Sequence, residues 1–390
     1  MRLGLEVCLE RPPAVLTGAR IGLLVNQASV DRDFVPTHER FAARFGKQVR
    51  ALFGPQHGLW SEQQDNMIET PHAIEPRLRV PIHSLYADAR KPTPSMLADI
   101  DVLVVDLQDV GTRVYTYVWT LLLCLEACRD AGVRVLVLDR PNPLGGMLVE
   151  GPRLDPTYRS FVGLAPMPMR HGLTLAEAAR FLNRDIGADL HVVAMADYER
   201  TLDFAATGRR WLPPSPNLPR LEAVGVYPGQ VLLEGTDLSE GRGTTTPFEV
   251  CGAPFVDPHA WRDALAAFAL PGVALRPYRF EPTFQKWCGR SCGGLFLHVT
   301  DPVTFRPYRT TLALLAALRR VRSDGFAWRP PPYEYEHKHW PIDILSGGST
   351  VRTTLDGGAT PADVERLAAV DANEWWRDVG AARIYGPDPF

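Results

Sequence analysis

The chain has 390 residues, 45% of them hydrophobic and 22% charged, a globular composition that excludes a wholly disordered or fibrous protein. Its 42 Lys+Arg against 45 Asp+Glu leave a net charge of −3, without the basic excess of a duplex nucleic-acid binder. The 35 Pro and 32 Gly stand singly between apolar runs, which means many fixed loops on a folded scaffold.

The N-terminus, MRLGLEVCLERPP, is interrupted by Glu6 and Glu10 before an apolar signal segment can form, so a cytoplasmic protein is expected. The apolar run from Val118 to Leu125 is too short to span a bilayer, and no membrane partner is expected. The first half then alternates strand and helix patterns. Strands are expected at 20–25, 49–53, 101–106, 133–138 and 190–194, with helices near 38–46, 116–131 and 174–184. Runs without polar alternation indicate strands covered on both faces, and their alternation with helices predicts an α/β fold with a parallel, doubly wound sheet. After Pro213-Pro-Ser-Pro-Asn-Leu-Pro219 the character changes to a smaller α+β region. It has helices expected near 257–269, 306–322 and 361–378 and strands near 273–280 and 293–299.

Several familiar signatures fail. The chain has no phosphate-binding GxxxxGK[ST] loop and no GxGxxG after the first strand. Gly289-Arg-Ser291-Cys-Gly293 matches a nucleophile elbow in letters, but it precedes a strand-like run instead of joining a strand to a helix. The six cysteines are too scattered for a disulfide framework or a zinc site.

In open parallel sheets ligands bind beyond the carboxyl ends of the strands. The expected strands end here in Asn26-Gln27, Pro55-Gln56-His57-Gly58, Gln108-Asp109-Val-Gly-Thr-Arg113 and Asp139-Arg140-Pro-Asn142. Amides, carboxylates, His and Arg at successive strand ends predict a site wall, although Asp and Asn also favour strand-ending turns. Three segments are rich in such chemistry. From Pro55 to Asn66, His57, Glu62, Asp65, several amides and Trp60 share one loop; polar groups for hydroxyls beside an aromatic for a sugar face suit carbohydrate. From Asp106 to Tyr117 a loop runs into a helix, whose first N–H groups can hold an anion with Arg113 as a charged fork. In Glu234…Glu240-Gly-Arg242-Gly-Thr244 the glycines allow close backbone approach, and the carboxylates can act as acid, base or hydroxyl clamp. Each also reads as a structural loop, with Asp109 capping a helix, Glu240 and Arg242 paired, and Trp60 in the core.

The stretches FGPQHG, DVLVVDLQDVGTRVYTY, VLDRPNPLGG, SFVGLAPMPMRHGLT, WLPPSPNLP and VYPGQVLLEGTDLSEGRGTTTPFEVCGAP follow one another in order. In them the chain resembles the NamZ-type exo-β-N-acetylmuramidases, a bacterial glycoside hydrolase family. The resemblance implies a Rossmann-like parallel-sheet domain over residues 1–214 and a smaller C-terminal α+β domain over 215–390, with the active site between them. It implies release of a terminal β-linked N-acetylmuramic acid from the non-reducing end of peptidoglycan fragments, with no metal and no organic cofactor. Two departures stand out. The family motif reads PEHG, with its Glu the favoured acid/base, whereas this chain has Gln56, and an amide exchanges no proton near neutral pH. The relatives are generally exported, whereas this N-terminus carries no signal pattern.

The catalytic groups are accordingly expected among Gln56, His57, Glu62, Asp109 and Glu240. Substrate contacts are expected from Asn26, Asp65, Arg113, Tyr115, Arg140, Asn142, Glu234 and Arg242, with the arginines facing the lactyl carboxylate. A 2-acetamido sugar can supply its own nucleophile, so Gln56 could hold the acetamido group while His57 acts as acid or orienting donor. The alternatives are a catalytically silent carbohydrate-binding relative and a glycosidase of different sugar specificity.

Overall fold

The computed structural model describes residues 1–64, 68–321 and 325–387. The apolar runs of the first half become strands of one sheet: β1 (Ile21–Val25), β2 (Val49–Gly54), the short β3 (Ala73–Ile74) and β4 (Pro81–Ser84), then β5 (Val102–Asp106), β6 (Arg134–Leu138) and β7 (Leu190–Val193). Their order is β3-β4-β2-β1-β5-β6-β7, parallel except for β3. Strands β1, β2, β5, β6 and β7 lie where the sequence predicts them. The chain builds outward from β1 to one side, then crosses back to β5 and builds to the other.

Helices cover both faces. On one side α1 (Gly4–Glu10) and α2 (Thr37–Phe45) pack Leu5 and Phe41 against Leu23, Leu52, Val104 and Leu136. On the other, α3 (Pro94–Leu97), α4 (Tyr117–Ala131) and α5 (Leu175–Ile186) bury Leu97, Trp119, Leu121 and Leu182 in the cluster that holds Leu24, Phe53, Val105 and Val137. Alternate residues of each strand thus enter different apolar layers, which is why the runs lack polar alternation.

The second half contains α6 (Leu221–Gln230), β8 (Val250–Ala253), α7 (Pro258–Ala264), β9 (Val273–Phe280), β10 (Cys292–Val299) and α8 (Pro307–Val321). The four short helices α9 (Pro341–Ser346), α10 (Thr350–Asp356), α11 (Pro361–Ala368) and α12 (Ala372–Val379) come after them. Its strands form an antiparallel sheet in the order β8-β10-β9. One apolar core runs from the first sheet through α4, α6 and α8 into β10, with Val105, Leu121, Val224, Leu315 and Leu295 in the same cluster.

The sequence and structure part in several places, and two of them concern the C-terminal end. The single helix expected over 361–378 is two, because Asp371 leaves the helix and caps α12, its side chain accepting from Glu374 N. The chain's tail returns to the first layer, where Trp375 donates to the His171 carbonyl and Tyr385 to Asp139. No helix among the described residues is long and apolar enough to cross a membrane.

Gly229 sets the α6–α8 crossing: a Cβ there would lie 1.9 Å from the Pro307 carbonyl oxygen. Gly229→Ala is expected to lower the unfolding free energy by about 2 kcal/mol or more, read from the denaturant midpoint. An unchanged midpoint would mean that the two helices are not held at this spacing.

Candidate active site

The change of direction between β1 and β5 gathers the loops after β1, β2 and β5 beyond the carboxyl ends of the strands. Gln56, just past β2, is buried. Its Oε1 accepts from the Thr116 hydroxyl at 2.7 Å, and its Nε2 lies 3.5 Å from Glu334 Oε1. His57 has a left-handed backbone, φ +71°, and its Nδ1 is 2.6 Å from the Gln63 carbonyl. A carbonyl only accepts, so Nδ1 carries a proton.

The facing wall comes from a loop that sequence reasoning passed over. Tyr333 and Glu336 exchange two backbone hydrogen bonds of 2.9 Å, and between them Glu334 and Tyr335 have φ of 45° and 66°. Positive φ at both central residues marks a type I′ hairpin turn, which normally calls for Asn-Gly. Holding Glu and Tyr there costs on the order of 1 kcal/mol per residue, strain of the kind that gathers at functional sites. Glu334 accepts from the Tyr86 hydroxyl at 2.8 Å. Burial pushes its carboxyl up to about 7; the Tyr86 donor opposes the shift and the nearby Glu234 charge adds to it. Arg90 lies over the Tyr335 ring at 3.6 Å and over the Tyr86 ring at 5.0 Å, clamping the turn from behind.

The third wall is ionic. Glu234 takes Arg242 Nη2 at 2.7 Å and the Tyr333 hydroxyl at 2.6 Å. Glu240 takes Lys286 Nζ at 2.7 Å and Arg242 Nε at 3.2 Å. Burial alone would raise the Glu240 carboxyl, but the charges of Lys286 and Arg242 outweigh it and hold it below the usual range. Glu240 therefore stays ionised and cannot be the proton donor expected of it.

Gln56, His57, Tyr115, Thr116, Glu234, Arg242, Tyr333 and Glu334 line one cleft. The space between them is about 30 Å³, room for roughly one water, so a sugar ring needs the walls to part. The other expected site residues lie elsewhere. Asn26 is spent on the fold, donating to Tyr117 Oη at 2.7 Å and the Pro214 carbonyl at 2.9 Å. Arg113, fully buried, donates to the carbonyls of Pro152, Met167 and Leu345. Arg140 forms a fork on Asp106, with bonds of 2.5 and 2.8 Å. Asn142 closes a local turn and donates to the Leu173 carbonyl, while Asp109 accepts from Gly111 N at 2.7 Å. Glu62 is exposed and outside the cleft lining, and Asp65 lies outside the described residues. Among the described residues no cluster of three or more His, Cys, Asp or Glu could hold a metal.

Glu334 is the cleft carboxyl that sequence reasoning missed. Its one signal was Tyr333-Glu-Tyr-Glu336 directly after Arg329-Pro-Pro-Pro332, an aromatic-acidic run bracketed by prolines.

The family model described as exo-β-N-acetylmuramidase NamZ, N-terminal, matches residues 21–222, and its C-terminal counterpart matches 225–385. The chain belongs to the NamZ family. It is 39% identical to the peptidoglycan β-N-acetylmuramidase NamZ of Bacillus subtilis (strain 168) over 366 residues, 93% of this chain and 86% of the relative. Two crystal structures of DUF1343 family proteins from Bacteroides fragilis NCTC 9343 share its fold, each matched over 99% of both chains. One is 30% identical with a TM-score of 0.88, the other 27% identical with a TM-score of 0.76. The two NamZ models meet within α6, just after the proline-rich segment.

Glu240 and Lys286 support one another in this wall, so Glu240→Gln leaves the Lys286 ammonium buried without its carboxylate. A loss of about 3 kcal/mol in unfolding free energy is expected, against less than about 0.5 kcal/mol for Glu62→Gln at the exposed position. Equal losses in the two variants would contradict the assigned geometry.

Proposed function

We propose that this chain is an exo-acting β-N-acetylmuramidase that releases terminal N-acetylmuramic acid from peptidoglycan fragments, with Glu334 as its general acid. The activity is supported by NamZ matches across both halves and by the curated relative, 39% identical over nearly the whole chain. The role of Glu334 is carried by one observation: a buried carboxyl, up at about 7, stands 3.5 Å from the Gln56 amide, at the position where the resemblance implies a glutamate.

A carboxyl with that value is protonated over much of the neutral range and can still give up its proton, which is what a leaving glycosidic oxygen requires. Thr116 occupies Gln56 Oε1, so the amide turns its NH₂ toward Glu334 and the substrate's acetamido group. The acetamido carbonyl oxygen attacks C1 as the C1–O bond to the leaving sugar breaks and Glu334 protonates that oxygen. Water then opens the cyclic intermediate, its oxygen bonding to C1 and its proton returning to Glu334. His57, held by the Gln63 carbonyl at the cleft wall, orients a hydroxyl or the incoming water. Arg242 is the arginine of the lining and the candidate anchor for the lactyl carboxylate; Glu234, paired with it, clamps hydroxyls.

The test is turnover of a chromogenic N-acetyl-β-muramide. Glu334→Gln should lower kcat by about 10²-fold or more, with KM little changed. Wild-type rate should fall as pH rises through about 7, because the acid must be protonated. Undiminished turnover by Glu334→Gln removes the acid assignment, and wild-type binding without turnover makes the chain a silent relative.

Stability carries an independent reading of the same carboxyl. Between its ordinary value of 4.5 and about 7 the folded protein holds a proton that the unfolded chain has lost, so stability falls as pH rises through that window. Glu334→Gln removes this penalty. The variant should be more stable than wild type at pH ~8, by up to about 3 kcal/mol, and close to it near pH ~4, measured by denaturant unfolding.

A further inference from the structure

A second cavity, of about 320 Å³, shares no lining residue with the cleft and is of the size that holds small ligands. It lies beyond the carboxyl ends of the central strands: Val30 and Arg32 come after β1, Gln108 after β5 and Arg140 after β6. This is the crevice at the change of strand order where doubly wound sheets take their ligands.

Two of its lining side chains are almost fully buried, Gln108 at 4% exposure and Arg140 at 5%. Both are fixed by the protein at one end. Arg140 uses Nε and Nη2 on Asp106 and the Val30 carbonyl; Gln108 uses Nε2 on the carbonyls of Asp109 and Pro141. Arg140 Nη1 and Gln108 Oε1 make no hydrogen bond to the described residues, so the cavity wall holds a rigid charged donor and a rigid acceptor. Such groups are costly to bury without a partner.

The charge balance around them is positive. Asp106 neutralises Arg140, Glu6 pairs with Arg209, and the cavity's Asp31 is taken by Arg40. Arg32 and Arg210 line the same space and form no ion pair with the described residues. Trp211 and Phe34 add apolar surface to the same lining; Phe34 is 55% exposed with φ of +62°.

We infer that this cavity is a second, non-catalytic binding site for a small sugar-sized oxyanion, a carboxylate or a phosphate monoester. The anion lies on Arg140 Nη1 within the field of Arg32 and Arg210. The ring packs on Phe34 and Trp211, and Gln108 Oε1 accepts a hydroxyl. The site stands apart from the glycosidase reading and can fail or hold without it. An acid sugar such as N-acetylmuramic acid and a sugar phosphate carry the same recognised chemistry.

Calorimetric titration of the full chain separates these cases, using inorganic phosphate, N-acetylmuramic acid, N-acetylglucosamine 6-phosphate and neutral N-acetylglucosamine. At least one organic anion should bind wild type and Glu334→Gln alike, at least about tenfold more tightly than the neutral sugar. The double variant Arg32→Ala/Arg210→Ala, altered at two exposed positions, should lose that binding about tenfold or more while its muramide turnover stays unchanged. Arg210→Glu should weaken it in the same direction. The organic anion that binds identifies the source. No anion binding, equal binding of the neutral sugar, or full binding by both arginine variants would each overturn the site. Anion binding lost in Glu334→Gln but kept in the arginine variants would place the ligand in the cleft and overturn it as well.

Discussion

Three buried side chains converge on one backbone oxygen, the carbonyl of Pro214. Tyr117 Oη donates to it at 2.7 Å, Asn26 Nδ2 at 2.9 Å and Ser61 Oγ at 3.1 Å. They come from the start of α4, the end of β1 and the loop after β2, so the proline-rich segment is fastened to the first sheet at its functional edge. A carbonyl offers two lone pairs, and three donors oversubscribe it; each donor left unpaired in this interior would cost about 1–3 kcal/mol. Neighbouring bonds extend the seam, with Gln27 Nε2 on the Pro213 carbonyl at 2.8 Å and Asn217 Nδ2 on the Gln64 carbonyl at 2.7 Å. The loop that presents Gln56 and His57 is therefore set against Ser215 and Leu218, which line the cleft with them.

This seam explains which parts of the site could be read in the sequence. The location was legible, because polar residues crowd the ends of strands that are otherwise wholly apolar. The roles were not. A loop packed inside a protein must satisfy its own carbonyls and N–H groups, and it uses the same Asn, Arg and Asp that a ligand site would use. Arg113 looked like an anion fork, but the oxygens it holds are three neutral carbonyls of the chain itself. Arg140 likewise spends its fork on Asp106, inherited from the strand beside it.

Fold legibility obeys the same physics. Strands covered on both faces leave an unbroken apolar run, and these were placed closely. Helix α6 was not expected, because Val226-Tyr-Pro-Gly229 puts a proline and a glycine inside it. Both residues argue against a helix locally; packing against α8 overrides them, and Gly229 is what permits the close approach. Glu334 was hidden for a related reason. It meets Gln56 across 278 positions of sequence, from a turn whose backbone calls for Asn-Gly and receives Glu-Tyr.

The carboxylates of the cleft show how environment assigns work among chemically equal groups. Glu240, between Lys286 and Arg242, is held ionised and serves as scaffold. Glu334 meets the Tyr86 hydroxyl and the Gln56 amide, which are dipoles without net charge, and burial keeps its proton on to about 7. Two carboxylates at the separation of Gln56 and Glu334 would share protons and titrate as a pair. With an amide at 56 that coupling is gone, and the carboxyl that remains is the one on the strained turn.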